Sequence, residues 1–387
     1  MLKRFLDFAT MLKHESKMIL EGKLRLVLVI VFVVISKILS AMFLYVRLSH
    51  ATGQFHTPFM DFWGQRGPSR PWLYLFSAWD TGHYVAIATN WYQYPMYVFF
   101  PAYPVLCRVI GIITGDFWLS AFMISFFFGL GSVPLFQLIC EHYMSRTDAV
   151  ISTLLAMTFP YVFLFTTVSY TEPLFLFSTL LAWYLYLKER PFPSVLAAMV
   201  AALTKTYGIA IVIPMAIGFI VEKKLRRLPL VALSVAALLG WMSFLYFTTG
   251  DAIAFLTQQK YWYDILGERP ESIQYATSLL NFVFSPSHPV PTFSSMSIAW
   301  IIFFGYLIFN VSRVDAKLGV YSVCMYFGLL LFGNSFSFPR YFAFIFPVWL
   351  LVQGKVRNLA LLVVAIVFFL LSSLVIWAQF IIAFWVS

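Results

Sequence analysis

The sequence predicts an all-α, polytopic membrane protein, on three observations. Of its 387 residues 61% are hydrophobic and only 11% are charged, the apolar residues gather into long runs, and the basic residues sit in short clusters between those runs. A water-soluble domain is about a quarter charged, so a soluble fold is excluded and the length is counted in membrane spans of roughly 20 residues each. The runs read as helices, because lipid accepts only helices and closed barrels and these segments lack the alternation of barrel strands. Cys107, Cys140 and Cys324 form neither a CxxC pair nor a disulfide framework.

About eleven spans are expected, at 24–46, 117–140, 149–168, 173–187, 194–206, 207–221, 229–247, 298–311, 318–333, 341–352 and 359–384. The run 98–113 is broken by Pro101, Pro104 and Arg108 and reads as a helix dipping into the outer leaflet. Residues 1–23 mix Lys3, Arg4, Lys13, Lys17 and Lys23 with Leu2, Phe5, Leu6, Phe8, Met11 and Leu12, the pattern of an amphipathic interfacial segment. No cleavable signal peptide is expected, and 24–387 forms the transmembrane domain.

The net charge of +10 builds no continuous basic stripe and so does not indicate nucleic acid. It reads as a topology signal. With the N-terminus inside, segments 1–25, 141–148, 188–193, 222–228, 312–317 and 353–358 face the cytoplasm and hold most of the 26 Lys and Arg residues, satisfying the positive-inside rule. The chemistry-capable residues then gather on the opposite, extracytoplasmic or lumenal face. They lie in a first outer loop, 47–116, in the turns around Glu172, Lys205 and Arg340, and in a second large outer loop, 248–297. No Walker or GxGxxG loop is present to hold a cytosolic nucleotide-sugar.

Several short motifs succeed one another on that face. Trp79-Asp80 is followed by His83-Tyr84, Ile87-Ala88 and Tyr92, then by Phe99-Phe100-Pro101-Ala102-Tyr103-Pro104. Tyr170-Thr171-Glu172-Pro173-Leu174-Phe175, Gly250-Asp251 with Ala254-Phe255, Gln258, Gln259 and Trp262, and Phe338-Pro339-Arg340-Tyr341 with Phe346-Pro347 complete the set. Over 79–347 this order resembles the PIG-V family, which contains the transferase adding the second mannose to GPI anchors together with archaeal and bacterial relatives. The resemblance implies a GT-C glycosyltransferase fold, a catalytic acid in the first outer loop and a polyprenyl-phosphate-mannose donor. It also implies that Gln258, Gln259 and Trp262 help build the substrate cleft, where spacing alone gives only a polar helix. Trp79, His83, Tyr84, Glu172 and Tyr341 are further substrate-binding candidates, the aromatics Trp79 and Tyr84 either stacking on sugar or forming an interfacial belt. Where the family carries an Arg-Ser/Thr-x-Gly stretch, this chain has Lys205-Thr206-Tyr207-Gly208, a cation exchange that changes phosphate geometry.

A lipid-phosphate leaving group departs as an anion, so the chemistry needs one base for the acceptor hydroxyl and cations near the phosphate. Asp80 is the expected base, inverting a β-linked phosphosugar into an α-glycoside, with the alternative that it caps a helix beginning near Thr81. Arg340 either holds phosphate bidentately or snorkels to the interface. Lys205 either meets the same phosphate or pairs with Glu172, and Glu172 either binds acceptor or favours its helix N-terminus. His83, three residues after Asp80, shares its helical face and either orients the base or is a bonded interfacial histidine.

Asp61 is a weaker acidic candidate, too far along the chain for a DxD pair, and metal-independent chemistry without a cofactor is expected. Lys37, inside the first span, must face protein or water, by pairing with a lipid phosphate or by snorkelling. The expected partners are the lipid-phosphate sugar, a lipid-linked or surface glycan acceptor and membrane lipids. Two other classes are weighed: a transporter or flippase, which would show inverted repeats and polar groups near the midplane, and a non-catalytic subunit of a glycan-assembly complex, which would not need the acid at Asp80.

Overall fold

The computed structural model describes residues 2–52, 67–261, 292–332 and 337–381. Every regular element among them is helical. Helix α1 runs Leu2–Thr52, covering both the N-terminal segment and the first span. A short 3-10 turn, Pro71–Leu75, leads to α2 (Asp80–Asn90) and α3 (Ala102–Thr114). The bundle continues with α4 (Phe117–Tyr143), α5 (Arg146–Thr158), α6 (Pro160–Phe165), α7 (Glu172–Leu187), α8 (Pro191–Thr204), α9 (Val212–Val221) and α10 (Leu228–Thr249). After α11 (Ala254–Thr257) come α12 (Thr292–Val311), α13 (Ala316–Phe332), α14 (Phe338–Ala343) and α15 (Leu359–Ile381).

Four helices among the described residues are long and apolar enough to cross a membrane: Gly22–Arg47 within α1, α4, Leu225–Thr249 and α15. Six shorter apolar helices accompany them. Two of the expected spans are not single helices. The run 149–168 breaks where Phe159 leaves helical geometry ahead of Pro160, splitting it into α5 and α6. The run 341–352 is α14 followed by a 3-10 stretch, Phe346–Val352, with Pro347 at its start. The 13-residue α3 is about 20 Å long, too short to span. It exposes Val109, Ile112 and Ile113 and is tied to the end of α2 by Arg108, whose Nη1 donates to the Ala88 carbonyl at 2.7 Å. The run 98–113 thus holds a short helix rather than a full-length span.

α7 packs against α4 and α8, with α10 on the outside of α8 and α13 against α9. Two close backbone approaches make this possible. A Cβ on Gly129 of α4 would overlap the Thr166 carbonyl, and one on Gly208 would overlap the Ala201 carbonyl, so the hairpin after α8 closes only on glycine.

The six segments expected to share one membrane face are joined in the structure. Tyr143 donates to Asp315 at 3.4 Å, and the Gly354 amide donates to Asp148 at 3.3 Å. Lys224 bridges Glu189 and Glu222 at 2.6 and 2.8 Å, and Lys317 reaches Glu222 at 2.9 Å. Gly22 of α1 lies against the Arg146 guanidinium. α7 ends beside this network and begins at Glu172, so the Glu172 end of the bundle is the opposite face. Lys37 is 5% exposed and neither snorkels nor opens to lipid phosphate. Its Nζ is engaged by oxygens at the end of α6.

Gly208→Ala is expected to cost about 1–3 kcal/mol, because the hairpin must open to admit a methyl group against backbone. Gly240→Ala, with open space around its Cβ position, is the matched control. Thermal unfolding of purified protein should fall for the first and hold for the second; equal midpoints would show that the hairpin is not tightly packed.

Candidate active site

The segment 75–82 lies along the turn 166–171 and is held by bonds at nearly every residue. Trp377 Nε1 donates to the Leu75 carbonyl at 2.7 Å, and the Ser169 amide donates to the Phe76 carbonyl at 2.8 Å. Thr81 Oγ1 donates to the Ser169 carbonyl at 3.0 Å, and the Asp80 amide donates to the Tyr170 hydroxyl at 3.2 Å. Ser125 of α4 holds Tyr170 from behind through both its amide and its carbonyl. This clamp sustains an unusual backbone at Trp79, with φ 54° and ψ −122°, a conformation bulky residues rarely adopt and one that persists only where surroundings enforce it.

Asp80 is therefore the first residue of α2 and not its cap. The cap position is Trp79, and no side-chain cap bond forms there, which removes the helix-capping alternative. Among the described residues no hydrogen bond or ion pair reaches the Asp80 carboxylate, which stays half-buried. Burial raises its pKa above the usual carboxylate range, opposed by Arg340, reinforced by Glu172 and opposed in turn by Lys205. All three charges therefore lie within electrostatic reach of Asp80.

Those three form one cluster. Glu172, 1% exposed, stands at the start of α7 with Pro173 behind it, where a carboxylate is favoured by the helix N-terminus. Its Oε1 takes Lys205 Nζ at 3.0 Å and Arg340 Nε at 3.5 Å. The pairing of Lys205 with Glu172 is thus present, and Arg340 joins it. Arg340 is 3% exposed, not a snorkelling interfacial arginine. Its Nη2 donates to Ser337 Oγ at 3.1 Å and Tyr341 Oη at 2.9 Å. Its Nε is buried without a hydrogen-bond partner among the described residues. The guanidinium carbon stands 4.7 Å from the Tyr341 ring centre and 4.8 Å from that of Phe165, while Lys205 Nζ is 5.4 Å from Tyr341 and 5.7 Å from Tyr207. Rings this close stabilise both cations where water is scarce.

The remaining candidates are placed unevenly. His83 stacks on Phe99 at 5.2 Å, and burial pushes it down to about 4, so its ring is neutral at neutral pH. Tyr84 is buried behind the cluster, its hydroxyl 3.5 Å from Thr171 Oγ1, which donates to Glu172 Oε2 at 3.3 Å. It braces Glu172 from inside the core and does not face an open cleft. Asp251 is used up locally, accepting from the Ile253 amide at 2.9 Å and pairing with Thr257. Gln259 donates to the Phe255 carbonyl at 3.4 Å. Gln258 follows α11, which packs against the 3-10 turn Met96–Val98 and against Trp241 and Phe100. No hydrogen bond or ion pair among the described residues links Gln258 or Gln259 to the charged cluster. Trp262 and Asp61 lie outside the described residues, as does most of the loop 248–297.

Tyr170 is the residue sequence reasoning overlooked. It sits inside a recognised motif, yet only the fold shows its hydroxyl under the Asp80 amide and its ring 5.7 Å from the Arg340 guanidinium.

No family model matches this chain, and no curated protein matches it. Among solved structures it is similar to the oligosaccharyltransferase of Archaeoglobus fulgidus in complex with zinc and sulfate, with 16% identity and a TM-score of 0.43, covering 90% of this chain and 53% of that one. It is also similar to the same enzyme tethered through a disulfide to an acceptor peptide containing the NVT sequon, with 13% identity and a TM-score of 0.41, covering 91% and 55%. The chain spans about half the length of these proteins.

The cluster is open to two stability measurements. Glu172→Gln leaves the buried Arg340 and the half-buried Lys205 without their counter-charge and is expected to cost about 3–5 kcal/mol; adding Lys205→Met should recover part of the loss, and full additivity of the two changes would mean the pair is not coupled. Asp80 works in the other direction. Its raised pKa means the folded protein binds that proton more tightly than the unfolded chain, so stability falls as pH climbs from about 4 through the folded value. Asp80→Asn should therefore unfold at a higher temperature than the wild type at pH 7, with the gap closing below about pH 4. A lower midpoint at pH 7 would mean that the carboxylate is held by favourable contacts.

Proposed function

We propose that this protein is an inverting glycosyltransferase of the GT-C kind, moving mannose from a polyprenyl-phosphate-mannose donor to a lipid-linked or surface glycan on the extracytoplasmic or lumenal face of a membrane. The observation that carries the reading is an unbonded carboxylate beside a cluster with one positive charge in excess. Among the described residues Asp80 is a half-buried carboxylate with no bonded partner, and within its electrostatic reach Arg340 is a buried guanidinium whose Nε faces Glu172 without a hydrogen bond. A carboxylate open to a proton, close to two cations that share a single counter-charge, is what transfer from a lipid phosphate requires.

In the proposed reaction the acceptor hydroxyl gives its proton to the Asp80 carboxylate as its oxygen bonds to the anomeric carbon. The bond from that carbon to the phosphate oxygen breaks, the electron pair leaves with the phosphate, and Arg340 and Lys205 stabilise the departing anion. Because these side chains supply the positive charge, the reading is metal-independent. Glu172 holds the two cations together and keeps them from repelling one another while no phosphate is bound. Tyr341 stacks beneath both, and Trp79 and His83 stand beside the acid where a sugar would sit. Mannose as the sugar, and the GT-C class itself, are supported by the motif resemblance. The side of the membrane is supported by the basic network at the other end of the bundle.

Sugar transfer in lipid nanodiscs, with labelled polyprenyl-phosphate-mannose or GDP-mannose and a host lipid extract as acceptor, tests the proposal. Transfer should come from the lipid donor alone. Asp80→Asn is expected to lower the rate about 10²- to 10⁴-fold and Arg340→Ala about 10²- to 10³-fold, and the wild-type rate should climb with pH above the ordinary carboxylate range. Undiminished transfer by Asp80→Asn removes the base, and transfer from GDP-mannose overturns the topology.

A further inference from the structure

Lys37 has no place in the proposed reaction, yet it is a cation buried in the middle of the first apolar helix, 5% exposed. Such a charge is costly in a membrane unless every donor is matched. An ammonium has three donors, and three oxygens surround this one: the Phe163 carbonyl at 3.2 Å, Thr166 Oγ1 at 2.8 Å and Thr167 Oγ1 at 2.6 Å. All three acceptors belong to the end of α6, where the last helical carbonyls lack intrahelical partners and a cation is favoured by the helix dipole. The two threonine hydroxyls donate back along the helix, to the carbonyls of Val162 and Phe163, so they have only acceptor capacity left for Lys37. Among the described residues the network is closed and contains no carboxylate.

α6 runs directly into the turn that builds the site. Two residues beyond Thr167, Ser169 binds Phe76 and Thr81; Tyr170 then supports the Asp80 amide, and Glu172 gathers Lys205 and Arg340. We propose that Lys37 is a positioning residue. By fixing the end of α6 it fixes the turn 166–171, and through that turn the relative placement of Asp80 and Glu172. The inference rests on the transferase reading for its kinetic consequence but not for its structural one. Lysine suits the position better than arginine, whose planar fork brings five donors to three oxygens.

The test uses Lys37→Met, which keeps the apolar stem, in the full-length protein in nanodiscs, with hydrogen exchange read alongside transfer kinetics. Exchange should quicken in peptides covering both 166–172 and 77–82, while 220–228 on the opposite face keeps the wild-type pattern. In transfer, kcat should fall about 10- to 100-fold, as a small misplacement of a reacting group does, with KM for the lipid donor unchanged within about twofold. Unchanged exchange in 77–82 overturns the inference whatever the activity, and so does quickened exchange with wild-type kcat. A raised KM with normal kcat would instead mark Lys37 as a donor contact and also overturn it. Quickened exchange in both segments, with a wild type that transfers nothing, supports the positioning role while rejecting the transferase reading.

Discussion

One buried carboxylate holding two cations, one buried and one half-buried, is the contact on which the arrangement of this bundle depends. Glu172 draws Lys205 and Arg340 into a region where neither charge would stay alone, and the three residues come from the starts or ends of three separate helices. Their attraction is strong because water is scarce there, and their separation from water is tolerated only because the pair is hydrogen-bonded and faced by aromatic rings. The same contact gathers α7, the α8 hairpin and α14 at one end of the molecule, and the segment carrying Asp80 is laid across that junction.

The site combines over-determined and under-satisfied parts, and the division is informative. The backbone around Asp80 is fixed by Trp377, Ser169, Thr81 and Tyr170, enough to hold Trp79 in a conformation its side chain disfavours. The Asp80 carboxylate itself is left without a bonded partner among the described residues. Stability is thus concentrated in the frame and withheld from the carboxylate it presents, the pattern that the proposed role of Asp80 requires.

Much of this was legible in the residues. Composition alone gives the membrane class, and the basic clusters identify six segments that do meet at one end of the bundle. The motifs containing Asp80, Glu172, Lys205 and Arg340 are correctly brought together, although they are spread over some two-thirds of the chain. The parts that were not legible depend on partners remote in sequence or on local backbone breaks. Hydropathy sums over a window and passes over Pro160 and Pro347, so 149–168 and 341–352 looked continuous. Lys37 could be seen to need a partner, but its acceptors are hydroxyls and a carbonyl 126 residues and more away, and threonines in an apolar run carry no signal that they face a cation. Tyr84 was recognised with its motif, yet its buried position behind Glu172 follows from the packing of α2 on α3 and α4.

The length of α7 has a consequence for how a lipid would meet this protein. Its 16 residues measure about 24 Å, whereas the hydrocarbon of a typical bilayer is about 30 Å thick. With its far end moored to the charged network of Glu189, Glu222 and Lys317, the Glu172 end cannot also reach the opposite headgroup plane. Either the bilayer is locally thinned around the bundle or the cations sit at the floor of a recess several ångströms below that plane. In both cases the headgroup of a lipid donor of the proposed kind would travel inward to the protein while its tail remained in the leaflet. On the proposed function the depth of the charges would act as a filter: a phosphate tethered to a hydrocarbon chain would arrive at that level from the side, and a free anion in solution would have to descend to it.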